Sequence, residues 1–485
     1  MFKSLISCLK TLFKRENALF FFRRQIKTHR RRALREFYNE MAHLHYTEVG
    51  RQEKKTLRGL HELLSHDKKI RFSILIKGKD KKAEASALNQ TAPFLEVIDE
   101  GEAPTGTHIL VLEEGDRMRV DLLYRYEQIL RTKRDENLVL YTSAVRLDSL
   151  DRLTPGMLHA ELRPLHFPYE FMPMALPGLL IPKRFFQPHL TPWDLDALGA
   201  RFLGIPLPLL GKRSVDPIEP NLASYIEKKG LSWDLQGERA VPKLDYLPHV
   251  QVIVPFKDHR SLTLAAVRSI QRSLGVKTFI TAIDNQSQDP TLAEELRALG
   301  CEVIPIDEPF NYSRLNNLAV QKTSHPQELL FFMNNDAEIA PDALLEMCRW
   351  IKEPKIGLVG CRLHYPDGSL QHGGVRLDIR DALPGALNWI HNESATSNYP
   401  HIADAVTAAA SLTKREHFLS VGGFDEILYP IAYSDTHLAH KLSQKGLLTL
   451  YTPYATGIHH ESTTRKPGLL EDFDRSQFLQ DFSNS

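Results

Sequence analysis

Val250-Gln251-Val252-Ile253-Val254-Pro255-Phe256-Lys257-Asp258 is a near-continuous apolar run that breaks into a polar turn. A strand apolar on both faces belongs in the middle of a parallel sheet covered by helices. The chain beyond it keeps alternating. Helices are predicted over 262–274, 291–299 and 313–323, the first two closed by Gly275 and Gly300, and strands over 277–283, 302–306 and 328–333. Strand and helix in turn at this spacing predict an α/β, mostly parallel sheet whose ligands sit at the carboxyl ends of its strands.

The chain has 485 residues, 42% hydrophobic and 25% charged, which is ordinary for a globular protein and long enough for several domains. No apolar run approaches the ~18–20 residues of a bilayer span, which argues against an integral membrane protein. The four cysteines show no CxxC spacing, against a disulfide framework or zinc knuckle, and a reducing, cytoplasmic setting fits them. The formal charge of +1 hides an asymmetry: residues 1–40 carry eleven Lys/Arg and three acids. Phe2, Leu5, Ile6, Leu9, Leu12 and Phe13 recur there at helical spacing with lysines on other faces. Two readings stand: an amphipathic anchor on an anionic membrane surface, peripheral on the inner face of the cytoplasmic membrane, or a helical lead-in packed on the body. Without a recognition module beside it, the basic run does not point to nucleic acid.

Three strand-end clusters carry the chemistry. Asp284-Asn285-Gln286-Ser287 follows the second strand, where a carboxylate can hold a ribose or base edge, although such Asx-rich turns also simply cap helices. Phe331 to Asp336 delivers Asn334, Asn335 and Asp336 to a strand end, where oxygen ligands beside a diphosphate suit Mg²⁺ or Mn²⁺; the same triplet can be only a turn. Asp435, at a predicted helix start, can cap that helix or take a proton from an attacking hydroxyl. His459, after a strand predicted over 447–451, can complete a metal site begun by Asp336.

In order, these segments resemble the family 2 glycosyltransferases of GT-A fold, in the branch that transfers rhamnose and other sugars to bacterial surface polysaccharide. The resemblance covers about residues 248–465: Val252 to Asp258, Asp284 to Ser287, Phe310 to Asn317, Asn334-Asn335-Asp336, Leu370-Gln371-His372-Gly373-Gly374-Val375, Gly422-Gly423-Phe424-Asp425-Glu426, Asp435 and His459-His460-Glu461-Ser462. It implies an inverting transfer from a nucleotide-diphosphate sugar to a glycan or lipid-linked acceptor, dependent on Mn²⁺ or Mg²⁺. The implied base is Asp435 and the implied metal residues are Asp336 and His459. Pro255, Asp258, Asp284, Asn285, Ser287, Asn317, Asn334 and Asn335 would line the donor side, and His372, Gly423, Phe424 and Asp425 the acceptor side. Ser434 and His437 stand where the family commonly has acids, which alters the charge around the base and motivates the alternative of a catalytically inactive scaffold that binds glycan or a partner enzyme. A nucleotidyltransferase would need a glycine-rich phosphate loop that Phe256-Lys257-Asp258-His259 does not supply.

The first half carries a fainter echo. Ser73 to Asp80 lies over the segment ending at Asp258, and Ile109 to Asp116 over the one ending at Asp336. The interval is 36 residues instead of 78, so roughly 40 residues of nucleotide-binding strand and helix are missing. The expected organisation is a basic helical segment over 1–65, a smaller degenerate, non-catalytic GT-A-like domain over 66–240, with a linker near 236–243, a catalytic domain over 241–465 and a tail over 466–485.

Overall fold

The computed structural model describes residues 69–90, 92–148, 153–158, 165–169, 176–187, 190–212, 218–376, 388–389 and 395–460. The basic segment 1–65, the tail 466–485, and Glu461 and Ser462 lie outside these residues. Two compact units emerge: Met1–Leu165 with Pro173–Ile218, and His166–Met172 with Glu219–Ser485. Their border falls near residue 218, earlier than expected from sequence.

The first unit is built on one sheet of β1 (Phe72–Ile76), β2 (Glu96–Asp99), β3 (His108–Leu112), β4 (Arg117–Met118), β5 (Leu138–Leu147), β6 (Leu153–Leu158), β7 (Leu179–Pro182) and β8 (Arg201–Lys212). Its order is β2-β1-β3-β7-β5-β8-β4, with β6 paired to β5. Helices α1 (Lys81–Leu88) and α2 (Leu122–Lys133) bury Ala83 and Ala87, and Leu122, Leu123, Tyr126 and Leu130, against it; α3 (Pro192–Ala197) carries a Thr191–Asp194 capping box.

In the second unit, helix α4 (Leu222–Lys229) is capped by Asn221 and ended by Gly230 in the left-handed region. The expected linker is instead an antiparallel hairpin, β9 (Trp233–Gln236) with β10 (Arg239–Pro242), turned at Gly237. Trp233 fixes it to this unit: the indole is buried, meets Trp350 edge-on at 5.3 Å and donates to Glu353 at 3.2 Å. The apolar run that begins at Val250 is β11 (His249–Phe256), buried from Val250 to Phe256. It lies between β12 (Lys277–Asp284) and β14 (Leu329–Met333), both parallel to it, with β13 (Glu302–Pro305) outside β12. Each fully buried large apolar side chain of β14 adds about 1.5–3 kcal/mol of apolar burial.

Helices α5 (Arg260–Gln271), α6 (Pro290–Ala298) and α7 (Tyr312–Lys322) make the crossovers. Asp289 caps α6 ahead of Pro290, and Asn311 caps α7 by accepting from the Arg314 N–H at 2.9 Å. Beyond β14 come β15 (Ala337–Ile339), α8 (Ala343–Ile351), β16 (Ile356–His364), β17 (Leu370–His372), a ribbon of β18 (Val375–Arg376) and β19 (Asn388–Trp389), β20 (His401–Ala403), β21 (Ala410–Lys414), α9 (Arg415–Ser420), α10 (Ser434–Gln444) and β22 (Leu448–His459). The sheet runs β13-β12-β11-β14-β21-β16-β22-β15. β22 continues well past the stretch visible in sequence, and its far end pairs Ala337 with His459. That pairing builds the site.

Candidate active site

At the carboxyl ends of β12 and β13, a pocket of about 290 Å³ is lined by Asp284, Gln286, Ser287, Gln288, Pro305, Ile306 and Asp307. The turn that walls it is tightly wired. Asp284 Oδ1 accepts from the Ser287 N–H at 3.0 Å, and Ser287 Oγ from the Asp258 N–H at 3.0 Å. Asp258 Oδ1 accepts from the Gln288 N–H at 2.6 Å. Asp258 and His259 both lie in the left-handed region (φ 53° and 49°), strain that this hydrogen bonding holds in place. Asn285 is buried, and its amide donates to the Glu308 carbonyl at 2.8 Å; it fastens the β13 end and does not line the pocket. Pro255 is a buried β11 residue paired with Ile283, one step before Asp284.

The second cluster is at the β14–β15 break. Asp336 is 5% exposed, and its Oδ1 lies 3.2 Å from His459 Nε2. His459 Nδ1 is 2.9 Å from Gln371 Oε1, an oxygen that only accepts, so the proton belongs on Nδ1 and the Nε2 lone pair faces Asp336. Two electron-rich atoms at this distance call for a cation between them, either a proton or a metal ion. Burial by itself would raise the Asp336 carboxyl, but where that cation is a proton on Nε2, the hydrogen bond and charge of the His459 imidazolium, with the charge of His460, bring it below the ordinary value. Asn334 Nδ2 is 3.3 Å from the same Nε2, and Asn335 turns away to donate to Thr263 Oγ1 on α5 at 3.0 Å. One carboxylate and one imidazole make a partial ligand set, of the kind Mg²⁺ or Mn²⁺ takes when phosphate oxygens complete its shell. Among the described residues no group of three or more His, Cys, Asp or Glu side chains is placed to hold a metal by itself.

The third cluster surrounds Asp435, the second residue of α10. Its Oδ2 accepts from the Ala408 N–H at 3.1 Å and its Oδ1 from the Thr436 N–H at 2.7 Å. Burial raises its pKa above the ordinary carboxylate value, against those hydrogen bonds. Tyr312 links the clusters: its hydroxyl donates to the Ala408 carbonyl at 3.2 Å, and its pKa is raised first by burial, then by the charge of Asp435, and also by that of Asp336.

The Glycosyl transferase family 2 model matches residues 251–413, which takes in the first cluster and, of the second, Asn334, Asn335, Asp336 and Gln371, while His459 and Asp435 lie beyond it. The chain is 34% identical over 238 residues to the O-antigen biosynthesis protein RfbC of Myxococcus xanthus, covering 47% of this chain and 18% of that protein. It is 30% identical over 255 residues to the N-acetylglucosaminyl-diphospho-decaprenol L-rhamnosyltransferase of Mycobacterium tuberculosis, covering 46% of this chain and 79% of that enzyme. The chain belongs to glycosyl transferase family 2. It falls in the branch of these rhamnosyltransferase-like relatives, and its second unit has the GT-A α/β fold of the family. It spans under a fifth of the length of RfbC. Among solved structures the chain is similar to GalNAc-T7 with UDP, GalNAc and Mn²⁺, at 16% identity over 44% of each chain and a TM-score of 0.37.

The remaining motif residues of the chain build a loop. Asn317 does not line the pocket beside Asp284. Its Oδ1 accepts from the Phe424 N–H at 3.0 Å, and its Nδ2 donates to the Phe424 carbonyl at 2.9 Å and to Glu426 Oε1 at 2.8 Å. Gly423 (φ 68°) is required beside it, because a Cβ there would come within 2.6 Å of that Oδ1. Phe424 is core, packed on Phe332 at 4.9 Å and Phe418 at 5.3 Å. Asp425 caps the turn, accepting from the Ile427 and Leu428 N–H groups at 3.0 and 2.9 Å. His372 is buried, its Nε2 3.4 Å from the Thr407 N–H. Phe424 and Asp425 thus support the Gly422–Tyr429 loop through the core and its turn. Asn317→Ala removes both partners of a buried backbone pair and is expected to cost about 1–3 kcal/mol, measured by denaturant unfolding.

Sequence reading left Gln371, Tyr312 and Glu426 without roles. All three lie inside quoted motifs, but their partners are set by pairings across the sheet that residue spacing does not encode.

Proposed function

We propose that the chain is a metal-dependent inverting glycosyltransferase, moving a sugar from a nucleotide-diphosphate donor to a hydroxyl of a polysaccharide or lipid-linked glycan. The observation that carries this reading is the Asp336–His459 contact at 3.2 Å, with the imidazole tautomer fixed by Gln371. Asp336 and His459 would hold Mn²⁺ or Mg²⁺, which when bound stabilises charge on the departing diphosphate. Asp284, Ser287 and the pocket beside them bind and orient the nucleoside. Asp435 takes the proton of the acceptor hydroxyl as its oxygen bonds to the anomeric carbon, and the bond from that carbon to the diphosphate breaks with its electron pair. A raised pKa makes Asp435 a stronger base than an ordinary carboxylate. It also keeps the proton on to higher pH, so kcat/KM is expected to fall, as pH is lowered, through a value above the usual Asp range of about 4. A pH–rate profile of the wild type checks this.

The lipid-linked acceptor is proposed on the likeness to the decaprenol-dependent rhamnosyltransferase. Residues 1–40, with their eleven Lys/Arg, would bring the transferase to an anionic membrane surface on the cytoplasmic side. Among the described residues no helix is long and apolar enough to cross a membrane. Deleting residues 1–40 is expected to release the protein from vesicles containing anionic lipid at low salt; undiminished co-sedimentation would reject the anchor.

The reading as an inactive scaffold predicts no turnover with any donor. Ser434 is buried in the first turn of α10, and His437 packs its ring against Tyr429 at 4.5 Å; both contacts leave the Asp435 hydrogen bonds intact.

A further inference from the structure

The eight strands of the first unit's sheet repeat eight of the ten in the second unit's sheet. The order β2-β1-β3-β7-β5-β8-β4 has the same directions as β12-β11-β14-β21-β16-β22-β15. In each sheet three parallel strands are followed by two antiparallel steps, a parallel neighbour and a short antiparallel edge. Even the side pairing recurs, β6 on β5 as β17 on β16. Between the first and third of the parallel strands, the second sheet carries β13 with α6 and α7, where the first goes directly from β2 to β3. The pocket at the end of β13 therefore has no counterpart among the described residues of the first unit.

This correspondence fixes which residues are equivalent. In the second sheet Asp336 stands just before β15, and Ala337 pairs with His459, so His460 lies opposite Asp336. In the first, Asp116 stands just before β4, and Arg117 pairs with Gly211, so Lys212 lies opposite Asp116. Lys212 Nζ is 3.0 Å from Asp116 Oδ1 and 3.1 Å from Oδ2. The carboxylate is 1% exposed and the lysine 8%. The Glu113 N–H donates to Oδ2 at 3.0 Å. Asp80, in the turn after β1, is likewise closed by a cation of the chain, accepting from Arg117 Nη1 at 2.8 Å and the Gly115 N–H at 2.9 Å. A divalent ion at Asp116 would have to displace an ammonium already bound there, against its repulsion.

We propose that Lys212 takes, beside Asp116, the place a divalent ion takes beside Asp336, so that the first unit is a copy of the transferase sheet closed to metal by its own ammonium. The equivalence rests on Asp336 as the cation-holding carboxylate of the second unit, but the test does not depend on turnover. The full chain is titrated with Mn²⁺ alone, followed by electron paramagnetic resonance, as Asp336→Ala and as Asp336→Ala/Asp116→Asn. The two are expected to titrate alike; a saturable Mn²⁺ site in the first that Asp116→Asn removes would overturn the proposal. A wild-type chain that binds no Mn²⁺ would overturn the second unit's metal site and, with it, this equivalence, whereas a saturable site at Asp116 would overturn the equivalence alone.

The pairing itself is tested by melting. Lys212→Met leaves a buried carboxylate unpaired and is expected to lower the Tm of the unit by about 5–15 °C, with most of the loss recovered in Lys212→Met/Asp116→Asn. Should Lys212→Met fail to fold, a folded double variant supports the proposal. A single variant that melts like the wild type, or a double variant that recovers nothing, contradicts it.

Discussion

Asp435→Asn is expected to lower kcat by about 10²–10⁴-fold while leaving nucleotide-sugar binding within a factor of about two. The asparagine keeps the side chain's shape and an acceptor oxygen for the Thr436 N–H, bonded now at 2.7 Å, but it cannot take a proton. The variant gives up one accepting oxygen, the one that serves the Ala408 N–H at 3.1 Å, and also removes a charge that burial disfavours. These effects oppose each other, so its Tm should stay within a few degrees of the wild type. Single-turnover rates with calorimetric donor binding separate the two roles. A loss of donor affinity with kcat preserved would move Asp435 from proton transfer to binding.

The second large effect belongs to the metal corner. Asp336→Ala is expected to lower the transfer rate by about 10²–10³-fold or more, since it removes the only carboxylate facing His459 Nε2 among the described residues and with it the anchor for charge stabilisation on the leaving diphosphate. Gln371→Ala should act more mildly, weakening Mn²⁺ binding by about 10–100-fold, because the imidazole loses the acceptor that sets its tautomer. Added Mn²⁺ should rescue Gln371→Ala and leave Asp336→Ala inactive. Equal rescue of both would place the metal elsewhere.

Much of the second unit's sheet was legible because β11 and β14 at its centre are buried along almost their whole length. β11, β12 and β14 read as apolar runs, Gly275 and Gly300 follow the ends of α5 and α6, and Asp289 and Asn311 cap α6 and α7. Long-range pairing was not legible. β22 runs through Pro453, and its pairing with β16 jumps from Thr452 to Thr456, so the far half of the strand, which delivers His459, looked like loop. β8 was hidden in the same way: Pro206 and Pro208 cannot donate to the ladder, and the register with β5 shifts there. The stretch 236–243 read as a linker because the polar turn Gln236-Gly237-Glu238-Arg239 dominates it, and β10 adds only three buried residues, Ala240, Val241 and Pro242. Asp284 and Asp336 were legible as strand-end residues and Asp435 as a helix start, whereas His459 stood out only as a histidine able to complete a metal site with Asp336. The loop-building role of Asn317 was not, since its partners lie about a hundred residues away in Phe424 and Glu426.

Transfer is expected to depend on a cation at Asp336 and His459. Its most direct test is nucleoside diphosphate release by the purified full chain, across a panel of nucleotide sugars with a polyprenyl-diphosphate-linked glycan acceptor, with Mn²⁺ and with EDTA. Release with at least one donor, lost in EDTA and restored by excess Mn²⁺, is the predicted result. No release with any donor, or release that EDTA leaves unchanged, would contradict it.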